Sequence, residues 1–317
     1  MVVGWEERRQ LVKVANLYYM DGWTQEQIAK KVGVSRPIIS RILQKARDSK
    51  VVEVYIKDEN IHTVELEQQL EKRYGLKDAI VVSTVGLTPD MLKKAVGQAS
   101  AYYLSKYLKK RNVSQLGISW GSTLAELVKE YPFERKEQMN IVPLVGGMGT
   151  QHVEIHANQL AYELAKKMSC TCSYLYAPAI VETKELKERL VSMREISSVL
   201  EEGKKVDVAL IGLGNPYKGS MRKLGYLKDN DLKQLRKIGV VGDIGSRFFD
   251  ESGVVVNHPL NDKVIALPLE QLKRVKEVIG VVEGTHKVES AQAALKANYL
   301  DVLIIDEQTA LALLEAK

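Results

Sequence analysis

Arg36, Ser40, Arg41 and Lys45 are spaced so that a helix running through them turns them outward, away from apolar Ile39 and Ile42. Guanidinium, hydroxyl and ammonium groups in that arrangement suit the base edges and phosphates of a DNA major groove. The preceding residues support such a helix. Thr24 and Gln25 open an earlier one, and Gln27 stands three residues after Thr24, as in a capping box. Small Ala29 falls where two helices must cross closely, and Gly33 falls where the chain turns. Ser35 can cap the second helix, and Pro37 fits its first turn, where a missing N–H costs little. Ile28, Val32, Val34, Ile39 and Ile42 supply the inner faces. Residues 24–43 therefore read as a helix-turn-helix, with Thr24, Gln25, Ser35, Arg36, Pro37, Ser40, Arg41 and Lys45 as its DNA-contacting set.

A second group of residues lies on glycine-rich loops that follow apolar runs. Gly121, Ser122 and Thr123 lead from an apolar run straight into a helix, where free N–H groups and hydroxyls suit a phosphate. Gly147, Gly149, Thr150 and Gln151 form a second loop, and Gly212, Gly214 and Asn215 a third. The fourth holds Asp243, Arg247 and Phe249, and the fifth Glu283 and Lys287. Asp243 can accept from sugar hydroxyls, while Arg247 and Lys287 can neutralise phosphate charge. Any one of these loops is equally well a tight turn; Thr123 and Lys287 are the positions favoured as ligand contacts.

Other chemistries fit poorly. Gly212 and Gly214 lack the third glycine and the downstream acid of a dinucleotide fingerprint. His152, Glu154 and His156 are near one another, ahead of a helix capped by Asn158, but no Cys/His cluster completes a metal site. No Gly-x-Ser-x-Gly elbow occurs. Cys170 and Cys172, two apart on an expected strand, point the same way and cannot easily bond each other. No catalytic residue, metal or cofactor is expected; Asp243 and Glu283 are the only obvious acid/base candidates for an enzyme.

These groups must be held by two domains. The chain has 317 residues, enough for two sizeable cores, with 45% hydrophobic and 27% charged residues. Residues 1–57 hold 11 Lys/Arg against 6 Asp/Glu, whereas the rest hold 35 against 34. The excess positive charge thus sits with the helix-turn-helix, as a phosphate-backbone binder requires. A helix over 5–19 precedes the motif, and alternating residues 51–56 read as the strand of a wing. Residues 58–75 read as a linker with a helix around Leu66, Leu70 and Tyr74, which can pair with a second subunit or pack on its own domain. From 76 to 317, apolar runs at 79–83, 115–119, 140–145, 171–176, 206–212, 238–242, 264–267, 279–282 and 301–305 alternate with amphipathic helices, including one over 183–202. That pattern predicts an open, mostly parallel α/β sheet covered on both faces. No apolar run approaches the roughly 20 residues that span a bilayer, and the N-terminus lacks a signal-like stretch. A cytoplasmic protein without a membrane partner is expected.

Nearly the whole chain resembles the SorC/DeoR-type family of bacterial sugar-responsive transcriptional regulators. The resemblance rests on residues 17–19, 27–29, 34–43, 117–123 (Gly-Ile-Ser-Trp-Gly-Ser-Thr), 142–147 (Val-Pro-Leu-Val-Gly-Gly), Gly242 and Asp243 with residues 247–250, and Gly284 and Lys287 leading to residues 293–295. It implies a C-terminal domain related to sugar-phosphate isomerases and deaminases, a phosphorylated sugar as effector, and a homo-oligomer, often a tetramer, on operator DNA. Some relatives carry a lysine where Val145 stands here, so covalent capture of a sugar aldehyde at that position is not expected. The chain therefore reads as a regulator, most simply a repressor, of a carbohydrate-utilisation operon. The alternatives are a sugar-phosphate isomerase or deaminase with a DNA-binding domain attached and, less favoured, a nucleotide sensor.

Overall fold

The computed structural model describes residues 5–52 and 61–316 and separates into two units, Met1–Ile61 and His62–Lys317. In the first unit, α1 (Trp5–Tyr19), α2 (Gln25–Val32) and α3 (Arg36–Asp48) enclose a small core of Val14, Leu17, Ile28, Ala29, Ile39 and Leu43. Thr24 and Gln27 close a capping box at the start of α2, each side chain accepting from the other residue's backbone N–H. Gly33 ends α2 at φ 73°, a left-handed conformation that glycine adopts without strain. Ser35 stands at the N-cap of α3, but no hydrogen bond from its side chain closes the cap; Pro37 lies in the first turn. Of the expected wing strand, Val51 and Val52 are described: their N–H groups donate to the Ala46 carbonyl and their side chains pack near Leu11 and Ala15. Residues 53–56 of that strand lie outside the described residues.

The second unit is a parallel sheet wrapped by helices. Its strands are β1 (Asp78–Val82), β2 (Gln115–Ile118), β3 (Asn140–Pro143), β4 (Thr171–Cys172), β5 (Val208–Gly214), β6 (Val240–Ile244), β7 (Arg247–Asp250), β8 (Glu277–Val282) and β9 (Val302–Asp306). Parallel pairing gives the order β1-β9-β8-β5-β2-β3-β4. The helices are α4 (Ile61–Tyr74), α5 (Pro89–Lys110), α6 (Ser122–Glu130), α7 (Ala157–Met168), α8 (Lys184–Ser192), α9 (Arg194–Gly203), α10 (Ser220–Lys223), α11 (Asp229–Lys237), α12 (Pro259–Asp262), α13 (Leu269–Leu272), α14 (Val288–Lys296) and α15 (Glu307–Glu315). Alternate strand residues serve opposite cores. Val208 and Leu210 join α5, α6 and α7, while Ala209 and Ile211 join α9, α14 and α15. Every residue of β8 and β9 is buried, as a central strand between two helical layers demands.

The helix around Leu66, Leu70 and Tyr74 takes one of its two expected places, packed on its own domain: Leu66 and Leu70 of α4 lie in the second unit's core, and Glu67 and Glu71 accept from the Val81 and Ala79 N–H groups of edge strand β1. This seals an edge that would otherwise offer open hydrogen-bonding groups. Three sequence expectations change. The helix over 183–202 is two helices, because Met193 takes an extended conformation between α8 and α9. Residues 264–267 make only isolated antiparallel bridges, to Val145 and Ile180. The run at 238–242 belongs to β6, which pairs antiparallel with the end of β5 and folds back through Gly245 and Ser246 into β7.

Candidate functional site

The outer surface of α3 is the first candidate. Ile39, Leu43 and Ala46 anchor the helix in the core, leaving Arg36, Pro37, Ser40, Arg41 and Lys45 exposed. Exposed Ile38 and Gln44, which pattern reading did not single out, join them. Thr24 is exposed and Gln25 half-buried at the start of α2. Lys45 pairs with Glu7 of α1, so its ammonium must exchange that partner to reach a phosphate.

The second candidate is a cleft beyond the carboxyl ends of β2, β5 and β8. Strands β2 and β5 are neighbours, yet the chain continues from β2 toward β3 on one side and from β5 toward β8 on the other. Such a switch point leaves a crevice, because the two connections diverge. The loop after β2 brings Gly121, Ser122 and Thr123; the loop after β5 brings Gly214, Asn215 and Lys218; the loop after β8 brings Glu283, His286 and Lys287. Asp243 of β6, Lys93 of α5 and Lys223 of α10 complete the wall. Counting its open mouth, the cleft encloses about 760 Å³.

Each element places its groups for a local reason. Gly121 starts α6 without a side-chain cap, so the first-turn N–H groups and the positive end of the helix dipole face the cleft. Gly214 pairs with Asp243 across β5 and β6, and a Cβ built there would lie 1.9 Å from Asp243 Oδ1; only glycine leaves room for that carboxylate. Asn215 ties two walls together: its Nδ2 donates to the His286 carbonyl at 2.6 Å, and its Oδ1 accepts from the Tyr217 and Lys218 N–H groups.

The electrostatics favour an anion above a polar floor. Lys287 is half-buried in the cleft, and burial lowers its pKa against the opposing pull of Glu283 and Asp243. Burial, with Lys287, Lys223 and Lys218 nearby, holds His286 below its ordinary value, so the imidazole is neutral at neutral pH. Burial pushes Asp243 up to about 6, although the Ser246 N–H and Lys287 pull the other way. The native state therefore binds this proton more tightly than the unfolded chain, whose aspartate titrates near 3.8. The resulting stability is full below about pH 4 and lost as pH rises through about 6. Asp243→Asn cannot ionise, so it should gain on the wild type by roughly 3 kcal/mol across that window. Denaturant unfolding at both ends of the window checks this; a constant difference would mean that Asp243 keeps an ordinary pKa.

Of the residues expected from sequence, Gly121, Ser122, Thr123, Gly214, Asp243, Glu283 and Lys287 meet in this cleft. Gly147, Gly149, Thr150, Gln151, Arg247 and Phe249 do not line it. Gly147 exchanges backbone hydrogen bonds with Ala177 and Ala179, and Thr150 and Gln151 are exposed. Phe249 is fully buried against Tyr299. Arg247 turns away, donating to the carbonyls of Ala266 at 2.9 Å and Leu267 at 3.3 Å, and burial pulls its pKa down to about 10. Arg247→Met should therefore cost about 2–4 kcal/mol of stability through unpaired carbonyls, with ligand binding unchanged. Thermal unfolding and a ligand titration on the same variant separate the two roles.

The other discounted features take structural places. His152 pairs with Glu154 at the surface, while His156 is buried at the start of α7. Asn158 lies inside α7 rather than capping it, and its side chain bonds both backbone groups of Leu175. Val145 is buried in the core. Among the described residues, no group of three or more His, Cys, Asp or Glu is placed to hold a metal, and no helix is long and apolar enough to cross a membrane. Lys93, Lys218, Lys223, Asn215 and His286 were missed or left unassigned in the sequence; the Lys218-Gly219-Ser220 step into α10 was the available signal.

A helix-turn-helix unit joined to an α/β unit with a basic cleft at its switch point defines a ligand-responsive DNA-binding protein. Residues 58–315 match the Sugar-bind family of sugar-binding domains. The chain is 32% identical to the deoxyribonucleoside regulator of Bacillus subtilis over 97% of its length and 98% of that protein. It is 29% identical to the sorbitol operon regulator of Klebsiella pneumoniae over 98% and 99% of the two chains. The full-length structure of that regulator superposes with a TM-score of 0.75, covering 96% of this chain and 98% of the other at 29% identity. A DeoR family transcriptional regulator from Listeria monocytogenes gives the same TM-score at 42% identity, over 79% of this chain and 99% of that one. The chain belongs to the SorC/DeoR family of sugar-binding transcriptional regulators, and is thus a regulator and not an isomerase or deaminase.

Proposed function

We propose that this regulator binds operator DNA through α3 and that a phosphorylated sugar held in the cleft alters that binding. The convergence of Lys93, Lys218, Lys223 and Lys287 on the open N-terminus of α6 carries the reading. Ammonium groups and backbone N–H groups together suit a phosphate. Asp243 and Glu283, on the same walls, suit hydroxyl groups, so the favoured ligand joins a polyol to a phosphate. The names of the sorbitol and deoxyribonucleoside regulators support a carbohydrate-related operon. A homo-oligomer, with a tetramer as the leading form, would present recognition helices in pairs to a two-fold operator. The sugar phosphate would act by binding one oligomer arrangement more tightly than another.

Fluorescence anisotropy on labelled DNA from upstream of the operon tests this directly. Sequence-selective, salt-sensitive binding that shifts with one member of a sugar-phosphate panel is expected. Binding indifferent to the entire panel would remove the phosphorylated sugar from the proposal.

A further inference from the structure

We infer that Asp306 is a positioning residue for the cleft and that, with its neighbour Glu307, it couples the cleft to α4, the helix that follows the helix-turn-helix unit in the chain. Asp306 is buried at the end of β9. Its carboxylate accepts from the Gly284 N–H at 2.8 Å, the Thr309 N–H at 2.9 Å and the Thr309 hydroxyl at 2.6 Å. Gly284 begins the turn that carries His286 and Lys287 into the cleft. The same carboxylate thus caps α15 and holds the turn, so the two cannot shift independently without breaking charge-assisted hydrogen bonds.

Glu307 continues the path on the other side. It accepts from the Thr84 N–H at 2.9 Å and from the Ser83 and Thr84 hydroxyls at 3.2 Å, and its other oxygen faces His62 Nε2 at 3.5 Å. His62 lies in the first turn of α4. The far end of α4 is tied to the same helix, α15: Arg73 donates to the Leu314 and Ala316 carbonyls, and the Tyr74 hydroxyl donates to the Leu313 carbonyl at 3.2 Å. Helix α4 is therefore gripped at both ends by α15, whose N-terminus is set by the residue that holds the cleft turn. Closure of the 283–287 turn on a bound anion pulls on Asp306, and α15 passes the change to α4.

The inference rests on the cleft being the effector site, and hydrogen exchange on the full chain separates the two ideas. Inorganic phosphate at millimolar concentration serves as the probe. In the wild type it should slow exchange at residues 122–124 and 285–288, and also at 64–70 of α4. In Glu307→Gln and in His62→Ala the cleft protection should persist, while the protection of α4 falls by about fivefold or more. A merely structural loss would raise exchange at α4 with and without phosphate alike, leaving the ratio unmoved. Protection of the cleft with none at α4, or full α4 protection in both variants, overturns the coupling. Absence of any cleft protection instead overturns the effector reading, and the ligand-free Asp306→Asn variant then decides the coupling. Faster exchange at both 284–288 and 64–70 supports it, and faster exchange at 284–288 alone refutes it.

Discussion

Arg41→Ala is expected to lower specific operator affinity by one to two orders of magnitude, the range set by losing one good base contact. Arg41 is exposed on α3 while Ile39 and Leu43, on either side of it in sequence, are buried. Its removal therefore leaves the three-helix core intact, and unfolding is no explanation for lost binding. Salt dependence tells which contact was lost. A base contact leaves the slope of log affinity against log salt almost unchanged and relaxes discrimination at one position. A phosphate contact lowers the slope by about one and weakens all sequences alike. Lys45→Ala should matter less than Arg41→Ala, since Lys45 must first give up Glu7. Ligand binding should be the same in all three proteins; a loss of ligand binding in folded Arg41→Ala would refute the assignment of the two tasks to two units.

The helix-turn-helix was legible because its determinants are local. Capping by Thr24 and Gln27, the left-handed turn at Gly33 and the apolar inner faces all lie within twenty-odd residues of one another. Ser35 shows the limit of such reading, since the position was right and the hydrogen bond is absent. The cleft was legible only in part. Loops after parallel strands could be located from apolar runs, but which loops meet depends on strand order, and no local pattern reveals that β2 and β5 are neighbours running to opposite sides. The 146–151 loop lies after β3, one strand away from that switch point, and so does not line the cleft. Arg247 and Phe249 lie outside it for a different reason. The apolar run before them predicted a parallel strand followed by a loop, whereas β6 reverses into β7 and sends Phe249 into the core. Lys93 of α5, Lys218 of the loop after β5 and Lys223 of α10 share no periodic pattern, and lysines are commonplace on surfaces; only the folded chain gathers them.

That gathering makes the cations unequal, and Lys287→Ala should expose the inequality. Lys218 and Lys223 are exposed, so water and salt screen their pull on a bound phosphate, and removing either should cost little. Lys287 is partly withdrawn from water beside Glu283 and Asp243, where a charge-assisted hydrogen bond is worth about 1.5–3 kcal/mol. Its loss should weaken sugar-phosphate binding by roughly 10- to 150-fold. The effect should exceed one contact's worth at higher pH. Lys287 is one of the two groups that draw the Asp243 pKa down, so without it the Asp243 proton binds more tightly still, and the cost of ionising that buried carboxylate grows. Operator affinity measured without ligand should not change, because Lys287 and the α3 surface belong to different units. Isothermal titration with the sugar phosphate that shifts operator binding reads the first quantity, and anisotropy on operator DNA reads the second. An unaltered titration would take Lys287 out of the ligand site and leave the phosphate to the α6 N-terminus and the exposed lysines.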